Sequence, residues 1–97
     1  MTHVGGHVSI IKRSGRRPTE GFLREKLHDS LVAACMSAGS PPGHAEQIAR
    51  SVTESVIDWL HTRPEVTSED LRRTAARHLR TYHPDAAYLY EHHRNIL

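Results

Sequence analysis

The side chains best suited to chemistry in this chain are six basic residues close to its N-terminus. They are Lys12, Arg13, Arg16, Arg17, Arg24 and Lys26. Residues 1–26 carry these six and two acidic residues, a net charge of +4, whereas residues 27–97 carry 7 basic and 9 acidic residues, a net charge of −2. Clustered guanidinium and ammonium groups suit a compact anion, above all a polyphosphate. The alternative is a solvated basic edge that discourages strand pairing.

A second set of basic residues lies farther along the chain, in a segment with helical periodicity. Arg73, Arg77 and Arg80 follow an i, i+4, i+7 spacing, so they share one helix face. Nucleic-acid recognition helices can carry such a face, which makes a nucleic-acid-binding regulator one alternative. Glu69 lies four residues before Arg73, at the spacing of an intrahelical ion pair, and this favours a solvated face.

The rest of the composition excludes several kinds of site. Cys35 is the single cysteine, so no intramolecular disulfide and no thiolate zinc site can form, and its apolar neighbours indicate a buried thiol. The nine histidines show no H-E-x-x-H spacing, and neither glycine-rich phosphate motif is present. No nucleophile, base and orienting group can be assembled. We therefore expect neither catalysis nor a metal site.

Membrane insertion and export are not indicated by the sequence. The longest apolar run, Leu31 to Met36, has six residues, whereas a membrane span needs about 20. The N-terminus lacks the basic and apolar segments of a signal peptide. Together with the free cysteine, these features predict a cytoplasmic chain without a membrane partner.

The N-terminal region has the alternation of a β-hairpin. Residues 7–13 alternate and include two β-branched isoleucines, and Ser14-Gly15 is a turn signal. Residues 16–22 would then return as a second strand, which Pro18 weakens. Residues 65–67 could add a third short strand.

Four helices are predicted after the hairpin, from apolar residues that recur at spacings of three and four. Their expected positions are about 23–38, about 44–62, between Thr67 and Pro84, and 85–95. Thr67 and Asp70 form a capping-box pattern. Because a two-stranded hairpin is not stable alone, the expected fold is mainly α (α+β), a four-helix bundle capped by a small N-terminal β-hairpin or three-stranded sheet. Residues 1–7 are expected to be a flexible N-terminus and residues 8–97 a single domain.

Several sequence blocks resemble the ATP-cone domain. The first reads Ile10-Ile11-Lys12-Arg13-Ser14-Gly15-Arg16-Arg17, and it is followed by Glu20-Gly21-Phe22 and Arg24-Glu25-Lys26-Leu27. Later blocks are Ala45-Glu46-Gln47-Ile48, Val66-Thr67-Ser68-Glu69-Asp70-Leu71 and Ala87-Tyr88-Leu89-Tyr90, with Arg94 at the end. The resemblance extends over about residues 8–94, and the order of all the blocks is its most specific feature.

This resemblance implies a regulatory, non-catalytic module that binds adenine nucleotide. ATP-cones occur at the N-terminus of ribonucleotide reductase large subunits and in the bacterial repressor of ribonucleotide reductase genes. The implied ligand is ATP or dATP, with Mg²⁺ as an optional companion of the phosphates. The implied partner is a second copy in a homo-oligomer or a separate regulated protein, and nucleic acid is the less favoured alternative.

The resemblance also implies four charged contacts to the nucleotide. Lys12 and Arg13 correspond to contacts from the first strand to the phosphates and the base side. Lys26 corresponds to a lysine that reaches the phosphates from the first helix. Glu20 corresponds to an acidic position that helps to hold the base.

Three uncharged residues complete the implied site. Ile10 and Leu27 correspond to apolar walls for the adenine, and Thr67 corresponds to a threonine or serine that can hydrogen-bond near the base. The chain departs from the family pattern at Leu23, where Asp or Asn usually caps the first helix and can contact the ribose, and at an apparent two-residue insertion, Pro18-Thr19. These departures support another alternative, a degenerate cone that acts as a protein-interaction module.

Overall fold

The computed structural model describes residues 9–11, for which the backbone alone is described, and residues 20–63 and 65–92. The elements, in chain order, are β1 (Ser9–Ile11), α1 (Glu20–Ser37), α2 (Pro42–Leu60), β2 (Glu65–Thr67), α3 (Ser68–Tyr82) and α4 (Pro84–His92). A mainly helical fold with four helices is therefore confirmed. Each helix packs against two others: α1 contacts α2 and α4, and α3 contacts the same two helices.

The first helix forms because leucines at a spacing of four give it a continuous apolar face. Leu23, Leu27 and Leu31 are all buried. The helix ends in a Schellman motif, in which the Ser40 N–H donates to the Cys35 carbonyl at 2.9 Å. Gly39 has a φ of 101°, which a residue without Cβ adopts at little cost. This turn lets α2 pack back against α1.

The starts of the other helices follow from local sequence. Pro42 is the first residue of α2 and Pro84 the first of α4, positions where the missing N–H of proline costs no helical hydrogen bond. Thr67 caps α3: its Oγ1 accepts from the Asp70 N–H at 3.0 Å, and Asp70 Oδ2 accepts from the Thr67 N–H at 3.4 Å. The predicted capping box is thus confirmed. These bonds, foremost the one from the Thr67 backbone, lower the pKa of Asp70.

The two strands pair in parallel, with Ile10 opposite Val66 and Ile11 opposite Thr67. The predicted third strand, Glu65–Thr67, is confirmed. The predicted returning strand over residues 16–22 is wrong for residues 20–22, which form the first turn of α1, and its residues 16–19 lie outside the described part of the chain. The sequence periodicity missed this turn because a helix begins before its first core-facing residue, here Leu23. Glu20 suits that turn, since a carboxylate is favourable at a helix N-terminus.

The core lies between the helices and contains one polar contact that reaches across it. Tyr90 of α4 is completely buried, and its hydroxyl lies 3.0 Å from Ser30 Oγ of α1. Because Ser30 donates its own proton to the Leu27 carbonyl at 2.8 Å, Tyr90 is the donor in this pair. Burial raises the pKa of Tyr90 to about 12. Cys35 is also fully buried, as its neighbours predicted, and burial raises the pKa of its thiol.

Candidate functional site

The N-terminal turn of α1 presents the first predicted site residue, Glu20. Its Oε1 lies 3.1 Å from His61 Nε2 at the end of α2, and its Oε2 lies 3.8 Å from Arg24 Nη2 one turn along α1. The side chain is 37% exposed, so a ligand can reach the carboxylate. Two partners from two helices thus hold an accessible acidic group.

Lys26 lies almost two turns farther along α1 and is exposed. Its Nζ is 6.0 Å from the centre of the Phe22 ring, at the outer limit of a cation–π contact. Phe22 is itself 51% exposed. An ammonium group in this setting keeps its charge accessible to an anion, as the predicted phosphate contact requires.

Leu27 is placed differently from the other predicted site residues. It has no accessible surface, and it lies in the core with Leu23 and Leu31. Its role as a wall for adenine stays a prediction, whereas its role in the core is plain. Leu23, which corresponds to a helix-capping position in the family pattern, is a core residue 6% exposed because α1 starts three residues earlier, at Glu20.

The strand pair brings two further predicted residues together. Ile10 in β1 lies opposite Val66, the immediate neighbour of Thr67. The Thr67 side chain is exposed, although its Oγ1 already accepts from the Asp70 N–H. Lys12 and Arg13 lie outside the described residues, and their roles stay predictions.

A row of polar pairs between α1 and α2, called the polar seam below, was not predicted. It consists of three pairs: Glu20 with His61, Arg24 with Glu54, and His28 with Glu46. The three α1 residues recur every four positions on one face. That spacing is visible in the sequence and could have indicated the seam, but their partners on the antiparallel α2 could not be chosen without the fold.

Beside the polar seam lies an open groove of about 480 Å³ between α1 and α2. Its charged lining includes Arg24 and Arg50 but also Glu25 and Glu54. Arg24 is paired with Glu54, and Arg50 lies 3.8 Å from Glu46. Because these charges balance, the groove does not have the excess of positive charge that a polyphosphate needs.

Three of the four arginines of α3, Arg72, Arg73 and Arg80, also lie close to carboxylates. Arg73 lies 3.2 Å from Asp70 and 3.9 Å from Glu69, as the i, i+4 spacing predicted. Arg80 pairs with Glu91 of α4 at 3.1 Å. A face with this many carboxylates is a weak attractor for a nucleic-acid backbone, whose binding depends on neutralising phosphates with unpaired cations.

Other kinds of chemistry find little support in the described part of the chain. Within residues 9–11, 20–63 and 65–92, no three His, Cys, Asp or Glu side chains converge as a metal site would require. In the same residues, no helix is both long enough and apolar enough to cross a membrane.

The fold and these side chains define a class of protein: a small, mainly helical domain with charged groups at the start of its first helix. The ATP-cone family model, described as ATP cone domain, matches residues 8–96, and the chain therefore belongs to the ATP-cone family. Domains of this family are regulatory modules that bind ATP or dATP as allosteric effectors. No significant match was found among curated proteins or among solved structures.

Proposed function

We propose that this chain senses adenine nucleotide, and that binding of ATP or dATP changes its oligomeric state or its hold on a separate regulated protein. The observation that carries the proposal is the family match over residues 8–96. The accessible Glu20 and Lys26 on α1 support it, because they offer an acceptor for the base and a cation for the phosphates at the helix end predicted to bind.

The proposed roles of the site residues follow from the charges of their side chains. Lys26 attracts the triphosphate as a mobile point charge, joined by Lys12 and Arg13 from the segment after β1. Glu20 accepts a hydrogen bond from an amino group of the base, which favours adenine over bases without an amino group there. Ile10 and Thr67 contribute through the strand pair, and Leu27 supports α1 from the core.

Mg²⁺ enters the proposal as a companion of the phosphates. This ion keeps several waters and binds through one or two carboxylates together with substrate phosphates. Glu20 fits poorly as its ligand, because one carboxylate oxygen already contacts His61 and the other faces the Arg24 guanidinium. The phosphates and water molecules would therefore be the main ligands of the ion. We also propose a cytoplasmic location, supported by the nucleotide ligand and the free, buried Cys35.

The binding experiment compares two variants by calorimetry with ATP, dATP, ADP and GTP. We expect Lys26→Ala to weaken ATP binding about tenfold, the loss of about 1.4 kcal/mol, because a charge-assisted contact disappears. The matched control is Arg77→Ala, which removes one exposed positive charge from α3 and should change the affinity less than about twofold. Size-exclusion chromatography of the unaltered chain with and without each nucleotide tests the assembly step.

Two results would decide against parts of this proposal. If the folded chain binds none of the four nucleotides at millimolar concentration, nucleotide sensing is wrong and the protein-interaction alternative gains support. If Lys26→Ala binds ATP as the unaltered chain does, Lys26 does not belong to the site.

A further inference from the structure

The contact between Glu20 and His61 joins the proposed nucleotide site to the far end of another helix. We propose that His61 is a positioning residue, which holds the Glu20 carboxylate in the orientation that the nucleotide base meets. This inference rests on the proposed function, and it adds a residue outside the seven that the sequence assigned to the site. It also connects the C-terminal end of α2 to the ligand through Glu20.

The geometry leaves Glu20 oriented but still able to accept. His61 Nε2 lies 3.1 Å from Oε1, and Arg24 Nη2 lies 3.8 Å from Oε2. A carboxylate offers about four acceptor positions, so each oxygen keeps capacity for an N–H of a ligand. A free glutamate side chain has large rotamer freedom, and two partners from different helices restrict that freedom before any ligand arrives.

His61 can act as a support because its own backbone is fixed. It caps the C-terminus of α2 with φ −66° and ψ −13°, and its N–H donates to the Ile57 carbonyl at 3.1 Å. Two residues later, the Arg63 guanidinium lies over the Trp59 ring at 4.9 Å. The carboxylate oxygen can only accept, so His61 Nε2 carries the proton in this contact.

The structure contains a matched control for a purely structural role. His28 Nε2 lies 3.3 Å from Glu46 Oε1, which gives a second histidine–glutamate pair between the same two helices. The histidine of this pair is 24% exposed and that of the Glu20 pair 39%. Neither His28 nor Glu46 was assigned to the nucleotide site. If His61 only fastened α2 to α1, losing either histidine would have the same consequence for binding.

The test measures ATP and ITP dissociation constants for the full chain and three variants. ITP carries an oxygen where ATP carries the 6-amino group, so it reports on a carboxylate that accepts from that group. We expect His61→Ala to weaken ATP binding about fivefold, the upper limit for an exposed pair, and to weaken ITP binding less, so that the preference for ATP falls. His61→Gln should stay within about twofold of the unaltered chain, because an amide N–H can donate in place of Nε2–H. His28→Ala should also stay within about twofold.

Each other outcome has a defined meaning. Unchanged ATP affinity in His61→Ala, equal weakening in His28→Ala, equal loss for ATP and ITP, or no recovery in His61→Gln would each overturn the positioning role. Thermal unfolding of the same variants checks that all of them are folded at the assay temperature. If the unaltered chain does not bind ATP, both the proposed function and this inference are wrong. If it binds ATP with an affinity that does not depend on His61, only this inference is wrong.

Discussion

Helix α1 makes a buried polar contact with α4 and a row of exposed polar contacts with α2. Towards α4, Ser30 and Tyr90 form a hydrogen bond that is closed off from solvent, with the two residues 7% and 0% exposed. Towards α2, the polar seam places its three pairs at the surface, where the exposed fractions of the side chains range from 24% to 59%. The same helix thus has one polar contact that is closed to water and three polar pairs that are accessible to it.

The difference shows which polar contacts hold the fold and which add little to its stability. A buried polar pair must stay satisfied, because an orphaned group there costs about 1–3 kcal/mol. An exposed ion pair contributes about 0–1 kcal/mol, since water competes for both partners. Loss of one pair from the polar seam therefore costs little stability, whereas loss of one partner of the Ser30–Tyr90 contact costs more.

The largest expected effect tests the interior side of this comparison. Leu27→Ala should lower the free energy of unfolding by about 3–5 kcal/mol, because it removes a fully buried side chain from a packed core. Denaturant unfolding measures the change. The control is Met36→Ala on the same helix, at a residue 46% exposed, which should cost less than about 1 kcal/mol.

The opposite pattern would change the role of Leu27. If Leu27→Ala unfolds like the unaltered chain but loses ATP binding, Leu27 is a wall of the nucleotide site that opens in solution. A variant that is both unstable and unable to bind would leave Leu27 as part of the core that supports α1.

The helices and the capping box could be predicted because their signals are local. Leu23, Leu27 and Leu31 recur every four residues, which predicts a helix with one apolar face. Thr67 and Asp70 form a capping-box pattern, which predicts the start of α3. The described strand pair depended on distant residues. Ile10 and Val66 pair in parallel across the whole α1–α2 segment. The sequence predicts a short strand at residues 65–67 but not its parallel pairing with β1, because no local signal indicates which strand it joins.

The site divides along the same line. The resemblance is enough to propose Glu20 and Lys26 as site residues, since family patterns preserve residue types at fixed positions. His61 could not, because its relation to Glu20 exists only after α2 folds back and brings its last turn to the first turn of α1. Residue types can be read from the sequence, but contacts between residues far apart in the chain could not be predicted from it.

The second expected effect concerns the pH dependence of the buried contact. Tyrosine in an unfolded chain has a pKa of about 10, and burial raises the pKa of Tyr90 to about 12 in the fold. The neutral phenol is therefore favoured in the folded chain. Its contribution is fully present below pH 10 and is lost as the pH rises through 12, and the loss amounts to about 3 kcal/mol.

Unfolding experiments on the unaltered chain and Tyr90→Phe, at several pH values from neutral to 12, measure this loss. Phenylalanine cannot ionise, so the variant should gain on the unaltered chain over the alkaline range, while other titrating groups affect both equally. Parallel stability curves for the two proteins would show that Tyr90 is not sealed from water.

The smallest expected effect lies in the polar seam, where Arg24 and Glu54 form the middle pair. A double-mutant cycle with Arg24→Ala and Glu54→Ala should give a coupling free energy of about 0.5 kcal/mol at low salt, and less at high salt, because the two side chains are 39% and 59% exposed. Denaturant unfolding of the four proteins measures it. A coupling above about 2 kcal/mol would make the seam a stabilising element like the Ser30–Tyr90 contact. A small coupling accompanied by altered ATP affinity in Arg24→Ala would separate the two roles, because Arg24 also approaches Glu20 and can matter to the ligand while mattering little to the fold.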